Sequence, residues 1–264
     1  MIAPMHVRRR AISALMVLSA CYSGAGAEDL PALIEQSKPS LLLIGTFADT
    51  DNPRFTFRGT GFVVGDGRLA ITNAHVLPPD GEMVVANRRL VIQSRDAGSG
   101  VWRMRGAKVV GSDATHDLVL LRFDGAEMPA LRLAPEGRVR EGGAIALMGF
   151  PLGGALGFSP VTHRGIVSAI TAIALPPPTA RTLNPQAIRQ FRDGVFDIIQ
   201  LDATAYPGNS GGPVFSIDSG EVLGVVNMVL VKGRKETALS SPSGISYAIP
   251  AHFARQLIDA ERKD

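Results

Sequence analysis

This sequence of 264 residues has little cysteine and few aromatic side chains, and its basic and acidic residues are nearly equal in number. The single cysteine, Cys21, excludes an intramolecular disulfide bond. Aromatic residues make up 6% of the chain, which suggests no stacking surface for nucleic acid. The net charge of +3 comes from Arg8, Arg9 and Arg10, because removing these three from the 27 basic residues leaves 24, equal to the 24 acidic ones. Beyond residue 20 the sequence therefore provides no electrostatic reason to bind a polyanion.

The N-terminal apolar run, residues 11–20, is too short to cross a bilayer as a helix, and it follows a basic segment. This pattern predicts an export signal. Leu18-Ser19-Ala20-Cys21 resembles a bacterial lipobox, which favours removal of residues 1–20 and lipidation of Cys21. Alternatively, Ala25-Gly26-Ala27 is a small-x-small cleavage site, and residues 1–27 are removed before Glu28. An ordinary core helix is the third interpretation.

The two export interpretations place the protein in a bacterial cell envelope. The protein is then either soluble in the periplasm or an outer-membrane lipoprotein that faces the periplasm and is anchored through Cys21. Residues 21–39 contain small residues and prolines, so we expect a linker there.

Long helical periodicity is also nearly absent, which argues against a βαβ fold. From residue 40 onward, short apolar runs alternate with turn residues, a pattern typical of barrels or a sandwich. Asp66-Gly67 predicts a hairpin between two of the runs. The predicted strands cover 41–47, 60–64, 68–72, 83–86, 108–111, 118–123, 144–149, 165–170, 198–202, 213–216, 222–231 and 244–249.

Three segments interrupt this strand pattern. A short helix is predicted over 186–193, inside a proline-rich excursion at about 173–196. A second helix is predicted over 250–263, where Phe253, Leu257 and Ile258 form one apolar stripe. The polar segment 124–143 is the best candidate for a connection between two lobes.

The string Gly208-Asn209-Ser210-Gly211-Gly212-Pro213 surrounds a serine with glycines. Such a backbone can turn so that the N–H groups of Gly208 and Ser210 face one point, where they would stabilise an oxyanion. A serine hydroxyl also needs a base before it becomes a nucleophile. A plain β-turn is the alternative interpretation for a glycine-flanked serine.

Two further motifs supply a base and its partner. His75 follows an apolar run, and the ordinary pKa of an imidazole suits a general base near neutral pH. Asp117 stands at the start of the apolar run 118–121, where a buried acid needs a partner such as an imidazole N–H. Taken singly, His75 reads as a surface histidine and Asp117 as a turn residue. Together with Ser210 they follow a known triad order, with gaps of 42 and 93 residues that place Ser210 in the second lobe.

Five stretches resemble the protease domain of the HtrA/Deg family. They are Thr72-Asn73-Ala74-His75-Val76, Asp117-Leu118-Val119-Leu120-Leu121, Pro207-Gly208-Asn209-Ser210-Gly211-Gly212-Pro213, Gly220-Glu221-Val222-Leu223-Gly224-Val225 and Gly244-Ile245-Ser246-Tyr247-Ala248-Ile249-Pro250. The resemblance runs from about residue 40 to 258. It implies an all-β, trypsin-like fold of two six-stranded antiparallel β-barrels with a C-terminal helix, and a triad between the barrels. We expect the domain to span 40–264, with barrels at about 40–130 and 140–250.

The resemblance also implies ATP-independent cleavage of unfolded or misfolded envelope proteins, with no cofactor and no metal. About 14 residues follow Pro250, so we expect no PDZ domain. Oligomer formation is an open expectation, and the excursion at 173–196 falls where the family has a regulatory loop. A mere surface insertion is the alternative for that excursion.

Substrate preference follows from the resemblance in the same way. In trypsin-like enzymes the residue six before the nucleophile lies at the base of the primary pocket, and here it is Thr204 rather than an acid. Asn227, Met228, Val229 and Ser246 would form the pocket walls. We expect small or medium apolar side chains to bind there, rather than Lys or Arg.

The leading hypothesis is therefore a serine endopeptidase with His75, Asp117 and Ser210 as the triad. Gly208, Asn209 and Ser210 would form the oxyanion hole. A latent binding or chaperone module on the same scaffold is the first alternative. A metallohydrolase that uses His75, His116 and Asp117 is a weaker one, because the histidines lack metal-ligand spacing.

Overall fold

The computed structural model describes residues 29–79, 88–96, 98–153, 157–174, 195–227 and 244–263. Its strands form two closed six-stranded barrels, in which all neighbouring strands are antiparallel. The strands are β1 Leu41–Phe47, β2 Phe55–Val64, β3 Leu69–Asn73, β4 Arg89–Arg95, β5 Trp102–Asp113, β6 Leu118–Phe123, β7 Ala144–Gly149, β8 Val161–Ala174, β9 Val195–Asp202, β10 Pro213–Ser216, β11 Val222–Asn227 and β12 Ile245–Pro250. Barrel 1 has the order β1-β2-β3-β6-β5-β4, and barrel 2 the order β10-β11-β12-β9-β8-β7. The predicted fold class is confirmed.

The apolar residues of the strands separate into three buried clusters. One fills barrel 1 and includes Leu42 and Ile44, and a second fills barrel 2 and includes Leu147 and Val226. A third cluster lies between the barrels and contains Leu41 and Leu43 together with residues of barrel 2 and the C-terminal helix. Alternate residues of β1 thus face two different clusters, which explains why its apolar run is nearly unbroken.

The hairpin predicted at Asp66-Gly67 joins β2 to β3. Gly67 has φ of +83° and donates its N–H to Val64 O at 3.2 Å, while Asp66 accepts a hydrogen bond from the Arg68 N–H at 2.9 Å. The positive φ favours glycine at this position.

Strand β4 was not predicted, because its polar ends, Arg89, Gln93, Ser94 and Arg95, surround only three apolar residues. Pairing with β1 and β5 supplies the hydrogen bonds that hold it in the sheet. The strand predicted at 83–86, the helix predicted at 186–193 and most of the excursion at 173–196 lie outside the described residues. Strands β2, β5 and β8 extend beyond their predicted limits because neighbouring strands pair with the residues that flank the predicted runs.

In the part of the chain that the structure describes, two α-helices flank the barrels. The predicted C-terminal helix is present as α2, Ala251–Glu261, and its Ala251, Ala254 and Ile258 are buried. Helix α1, Leu30–Ser37, corrects the linker predicted over 21–39, because Leu33 is buried and Leu30 and Ile34 pack against the cluster between the barrels. No helix among the described residues is both long enough and apolar enough to span a membrane.

Candidate active site

His75 and Asp117 meet where strands β3 and β6 of barrel 1 lie side by side. Strand β3 ends at Asn73, which pairs with Leu118, and His75 lies in the 3₁₀ turn Ala74–Val76 that follows. Asp117 directly precedes β6, with φ of +51°, a conformation that Asp adopts more readily than most residues. This local geometry brings His75 Nδ1 to 2.5 Å from Asp117 Oδ2.

The carboxylate of Asp117 is held by several donors. Its Oδ1 accepts the backbone N–H of His75 at 2.9 Å, and its Oδ2 accepts the side-chain amide of Asn227 at 2.8 Å. Because an ionised carboxylate only accepts, the ring Nδ1–H of His75 is the donor toward Asp117, and Nε2 is left as the acceptor. The imidazole is 29% exposed, so Nε2 can reach a substrate or a nucleophile.

Asn227 is the functional residue whose role the sequence analysis missed. It lies at the end of β11, is completely buried and reaches from barrel 2 to the carboxylate in barrel 1. The prediction that Asn227 forms part of the pocket wall did not include this hydrogen bond, in which its side-chain amide donates to Asp117. The signal available in the sequence was an asparagine at the end of an apolar run, since an amide buried there requires a polar partner.

Ser210 lies at the junction of the two barrels. Its carbonyl oxygen accepts the N–H of Thr60 in barrel 1 at 2.9 Å, and the next N–H, that of Gly211, donates to Val226 O in barrel 2 at 3.0 Å. Val226 is adjacent to Asn227, so the serine segment and the His75–Asp117 pair share one strand end. Within the described part of the chain, no hydrogen bond joins Ser210 to His75.

The turn before Ser210 determines which backbone N–H groups are available to an oxyanion. Asn209 donates its N–H to Tyr206 O at 2.9 Å, and Gly208 has φ of +103°, as in a type II turn with Pro207 as its second residue. The prediction for Asn209 in the oxyanion hole is therefore corrected, because its N–H is already donated. The N–H groups of Gly208 and Ser210 donate to no residue that the structure describes.

Close packing explains the glycine after the serine. A Cβ on Gly211, whose φ is +84°, would lie 2.1 Å from Thr60 O and 2.2 Å from Thr72 Oγ1. The same Thr60 accepts a hydrogen bond from the N–H of Phe150 and donates to Gly208 O at 2.6 Å. Residues of both barrels thus fix the backbone on each side of Ser210.

The predicted pocket residues are partly described. The hydroxyl of the buried Ser246 donates to Ala203 O at 2.6 Å and accepts the N–H of Ala205 at 2.9 Å, so it brackets the half-buried Thr204. Its hydrogen-bonding capacity is used within the protein, which leaves Ser246 to shape the pocket. Met228, Val229 and the predicted lipidation site Cys21 lie outside the described residues.

His116 belongs to a separate pair with Asp113, not to the Asp117 site. Its Nδ1 lies 2.5 Å from Asp113 Oδ2, and its ring stacks on Phe253 of α2 at 3.5 Å. Burial raises the pKa of the Asp113 carboxyl, but hydrogen bonds from the ring and backbone of His116 outweigh it, and the pKa is lower than usual. Across the residues that the structure describes, no three His, Cys, Asp or Glu side chains are arranged to hold a metal ion.

The sequence is similar to those of known peptidases. The sequence profile described as "Trypsin-like peptidase domain" matches residues 59–225. The chain is 32% identical to a probable periplasmic serine endoprotease DegP-like of Halomonas elongata, over 78% of this chain and 35% of the relative. It is 30% identical to a similarly named protein of Marinomonas sp. (strain MWYL1), over 78% of this chain and 36% of the relative. The chain thus spans about a third of the length of the curated relatives it matches.

Solved structures show the same fold. The serine endoprotease from Yersinia pestis superposes with a TM-score of 0.60 at 21% identity, covering 89% of this chain and 66% of that one. Deg5 superposes with a TM-score of 0.60 at 22% identity, covering 86% and 90% of the two chains.

Proposed function

Because the chain belongs to the family of trypsin-like peptidases, we propose that it is a serine endopeptidase with His75, Asp117 and Ser210 as its triad. The observation that carries the proposal is the 2.5 Å contact between His75 Nδ1 and Asp117 Oδ2. This contact leaves Nε2 of His75 as a base at the junction where Ser210 lies.

The reaction has two halves. In the first, Ser210 Oγ bonds to the scissile carbonyl carbon while its proton passes to His75 Nε2. The tetrahedral oxyanion is stabilised by the N–H groups of Gly208 and Ser210, and the C–N bond then breaks as the leaving amine takes the proton from Nε2. In the second half, His75 Nε2 takes a proton from water as the water oxygen bonds to the acyl carbon, and the ester bond then breaks as Ser210 Oγ regains that proton. Asp117 orients the imidazole and stabilises its charged form throughout.

The substrate proposal follows from the identity of the predicted pocket residues Thr204 and Ser246. Thr204 stands at the predicted base of the pocket and carries no charge to pair with Lys or Arg, so small or medium apolar side chains suit the primary pocket. The named relatives are periplasmic endoproteases. We extend the proposal to unfolded or misfolded polypeptides in the periplasm, reached through an export signal over residues 1–20 or 1–27. Oligomer formation and anchoring through Cys21 belong to the same proposal.

A second candidate, a latent binding or chaperone module, is favoured by one observation. Within the described residues, Ser210 and His75 form no hydrogen bond. Catalytic hydrogen bonds often tighten only when substrate binds, so this geometry is also compatible with an active enzyme.

Fluorophosphonate labelling decides between the two candidates. The wild-type chain should be labelled at Ser210 and should cleave unfolded casein, because an activated serine attacks phosphorus as it attacks a carbonyl. Ser210→Ala should lose labelling and at least about 10⁴-fold of the turnover. Ser168→Ala, which changes an exposed serine on β8, is the matched control and should keep both. An unlabelled, inactive wild type that still prevents casein aggregation would establish the chaperone alternative instead.

A further inference from the structure

Four half-buried aromatic rings, those of Phe55, Phe57, Trp102 and Phe158, cluster beside the candidate site. The ring centroid of Phe158 lies 5.6 Å from that of Phe57, 6.2 Å from that of Phe55 and 6.4 Å from that of Trp102. Phe158 is therefore the centre of the cluster. Large rings that remain partly exposed next to one another provide an apolar surface for other side chains.

One end of this cluster touches the oxyanion turn. A Cβ on Gly208 would lie 3.2 Å from Cε1 of Phe57 and 2.3 Å from Phe150 O. On its other side the Phe57 ring adjoins Gly153, where a Cβ would lie 3.0 Å from Cδ1. The Phe57 ring is thus held between Gly153 and the glycine whose N–H faces the proposed reaction centre.

Strand order shows on which side of the scissile bond the cluster lies. Strand β10, which follows Ser210, has β11 as one neighbour and β7 as the other. Of the predicted pocket residues, Asn227 ends β11 and Ser246 lies in β12, whereas Phe150 and Phe158 belong to the segment after β7. The aromatic cluster thus lies on the side of β10 opposite these pocket residues, and we assign that side to the substrate residues that follow the scissile bond.

We propose that Phe57, Phe158 and Trp102 form an aromatic track that binds apolar side chains of the polypeptide on the C-terminal side of the scissile bond. The proposal rests on the proposed endopeptidase function. The track would favour segments that are buried in folded proteins and exposed in unfolded ones, because such segments are rich in apolar side chains.

The spacing of the rings fits an extended polypeptide. Alternate side chains of a strand point to the same face and recur about every 6.6 Å. The centroid steps of 5.6 Å and 6.4 Å along Phe57, Phe158 and Trp102 are close to this repeat. Two apolar side chains separated by one residue can therefore contact neighbouring rings of the track at once.

Trp102 provides a direct test that does not depend on catalysis, because it is the only tryptophan of the chain. Full-length Ser210→Ala is titrated with the amide Ala-Phe-Ala-Leu and, separately, with the amide Ala-Ser-Ala-Ser. We expect a saturable change in tryptophan emission with the apolar peptide and none with the polar one. Adding Phe57→Ala or Phe158→Ala should raise the Kd for the apolar peptide about tenfold.

Phe47→Ala is the matched control, because Phe47 is a half-buried phenylalanine whose ring lies under Arg89. The Kd for the apolar peptide should stay unchanged in this variant. Phe57→Leu keeps an apolar side chain, so its Kd should lie between that of Phe57→Ala and that of Ser210→Ala alone. Absence of any emission change with the apolar peptide would overturn the track. Equal weakening by Phe47→Ala would overturn it as well.

Cleavage separates this proposal from the proposed function. Two internally quenched peptides are identical up to the scissile bond and carry either Phe and Leu or two Ser residues beyond it, at alternate positions. The wild type should prefer the apolar peptide about tenfold in kcat/KM, and Phe57→Ala should reduce that ratio toward one. Equal cleavage of both by an enzyme that reacts with the fluorophosphonate would refute the track and leave the triad intact. Failure to label or cleave, with the emission change preserved, would refute the triad and leave the track.

Discussion

The buried amide of Asn227 connects the two barrels at the Asp117 carboxylate. Asp117 receives donors from its own barrel through the N–H and the ring of His75, and from the other barrel only through Asn227 among the contacts described. A hydrogen bond to a charged group contributes about 1.5–3 kcal/mol. The orientation of the carboxylate, and through it the imidazole, therefore depends on the position of barrel 2.

Removing this amide should reduce turnover more than substrate binding. Asn227→Ala should lower kcat by about tenfold to a hundredfold, since the contact orients the carboxylate toward His75, while KM for a peptide substrate changes little. Steady-state kinetics provides the measurement, and fluorophosphonate labelling should slow by a similar factor. Asn52→Ala, at an exposed asparagine, serves as the control. A rise in KM at unchanged kcat would instead assign Asn227 to the substrate pocket.

At the residue scale, the sequence indicated the groups whose motifs are local. His75 and Asp117 stand next to strands whose apolar residues are contiguous, and the glycines around Ser210 indicate a turn directly. The contact between Asn227 and Asp117 joins residues 110 positions apart and exists only once two barrels meet. The use of the Asn209 N–H within its own turn also depends on backbone geometry that residue types alone do not fix.

At the element scale, helix α2 binds the two barrels together. It follows β12 of barrel 2 directly, yet its buried face lies over β5 and β6 of barrel 1. Ile258 would contact a Cβ placed on Gly65 at 3.8 Å, and Glu261 forms an ion pair with Arg122 of β6 at 2.5 Å. The helix is thus covalently attached to the end of barrel 2 and packs against barrel 1.

Ile258→Ala should destabilise the whole chain. Deleting a buried isoleucine side chain leaves a cavity and costs about 2–5 kcal/mol of the free energy of unfolding. Urea denaturation followed by Trp102 emission measures this loss, because Trp102 lies in barrel 1, far along the chain from the substitution. Gln256→Ala, on the exposed side of the same helix, should change the free energy of unfolding by less than about 0.5 kcal/mol. An effect of similar size in both variants would contradict the packing role of Ile258.

Elements were predicted wherever burial made the sequence strongly apolar. Strands β1, β6, β7 and β10 have the limits that their apolar runs indicate. Strand β4 and helix α1 were missed because partners elsewhere in the fold stabilise them, β1 and β5 for the strand and the cluster between the barrels for the helix. Short segments of this kind have no periodicity long enough to reveal their structure.

At the scale of the whole molecule, the cluster between the barrels makes the fold and the candidate site interdependent. It contains residues of both barrels and of α2, so one barrel cannot lose its packing without exposing part of the other. The same interface places His75 and Asp117 on one side and Ser210 on the other. Conditions that weaken the interface should therefore reduce activity and stability together.

Acid should also lower the free energy of unfolding, because burial opposes the protonation of two half-buried histidines. Burial lowers the pKa of His163 below its ordinary value of 6.5. Burial also lowers the pKa of His252, with a further lowering from His116 that a raising effect of Glu136 opposes. The unfolded chain therefore binds protons near pH 6.5 that the folded chain does not yet accept. Because the unfolded state holds more protons in that range, the free energy of unfolding falls as the pH drops below about 6.5.

A second loss of stability follows at lower pH. Burial raises the pKa of Asp66, but hydrogen bonds from the Arg68 N–H and from Arg122 outweigh it, and the net pKa is below its ordinary value of 3.8. Asp113 behaves in the same way through His116. These carboxylates stabilise the fold above about pH 4, and that contribution is lost as the pH falls through their folded pKa values.

Urea titrations at pH 7.5, 6.5, 5.5 and 4.5 test the histidine range. The free energy of unfolding should decrease steadily below about pH 6.5, and His163→Leu should make that decrease shallower, because the substituted side chain takes up no proton in the unfolded chain. Gln256→Ala should keep the slope of the wild type. A wild-type stability that rises on acidification from pH 6.5 to 5.5 would require a histidine whose folded pKa lies above its unfolded value, opposite to the effect of burial on His163. An unchanged slope in His163→Leu would assign the acid sensitivity to His252 or to another group.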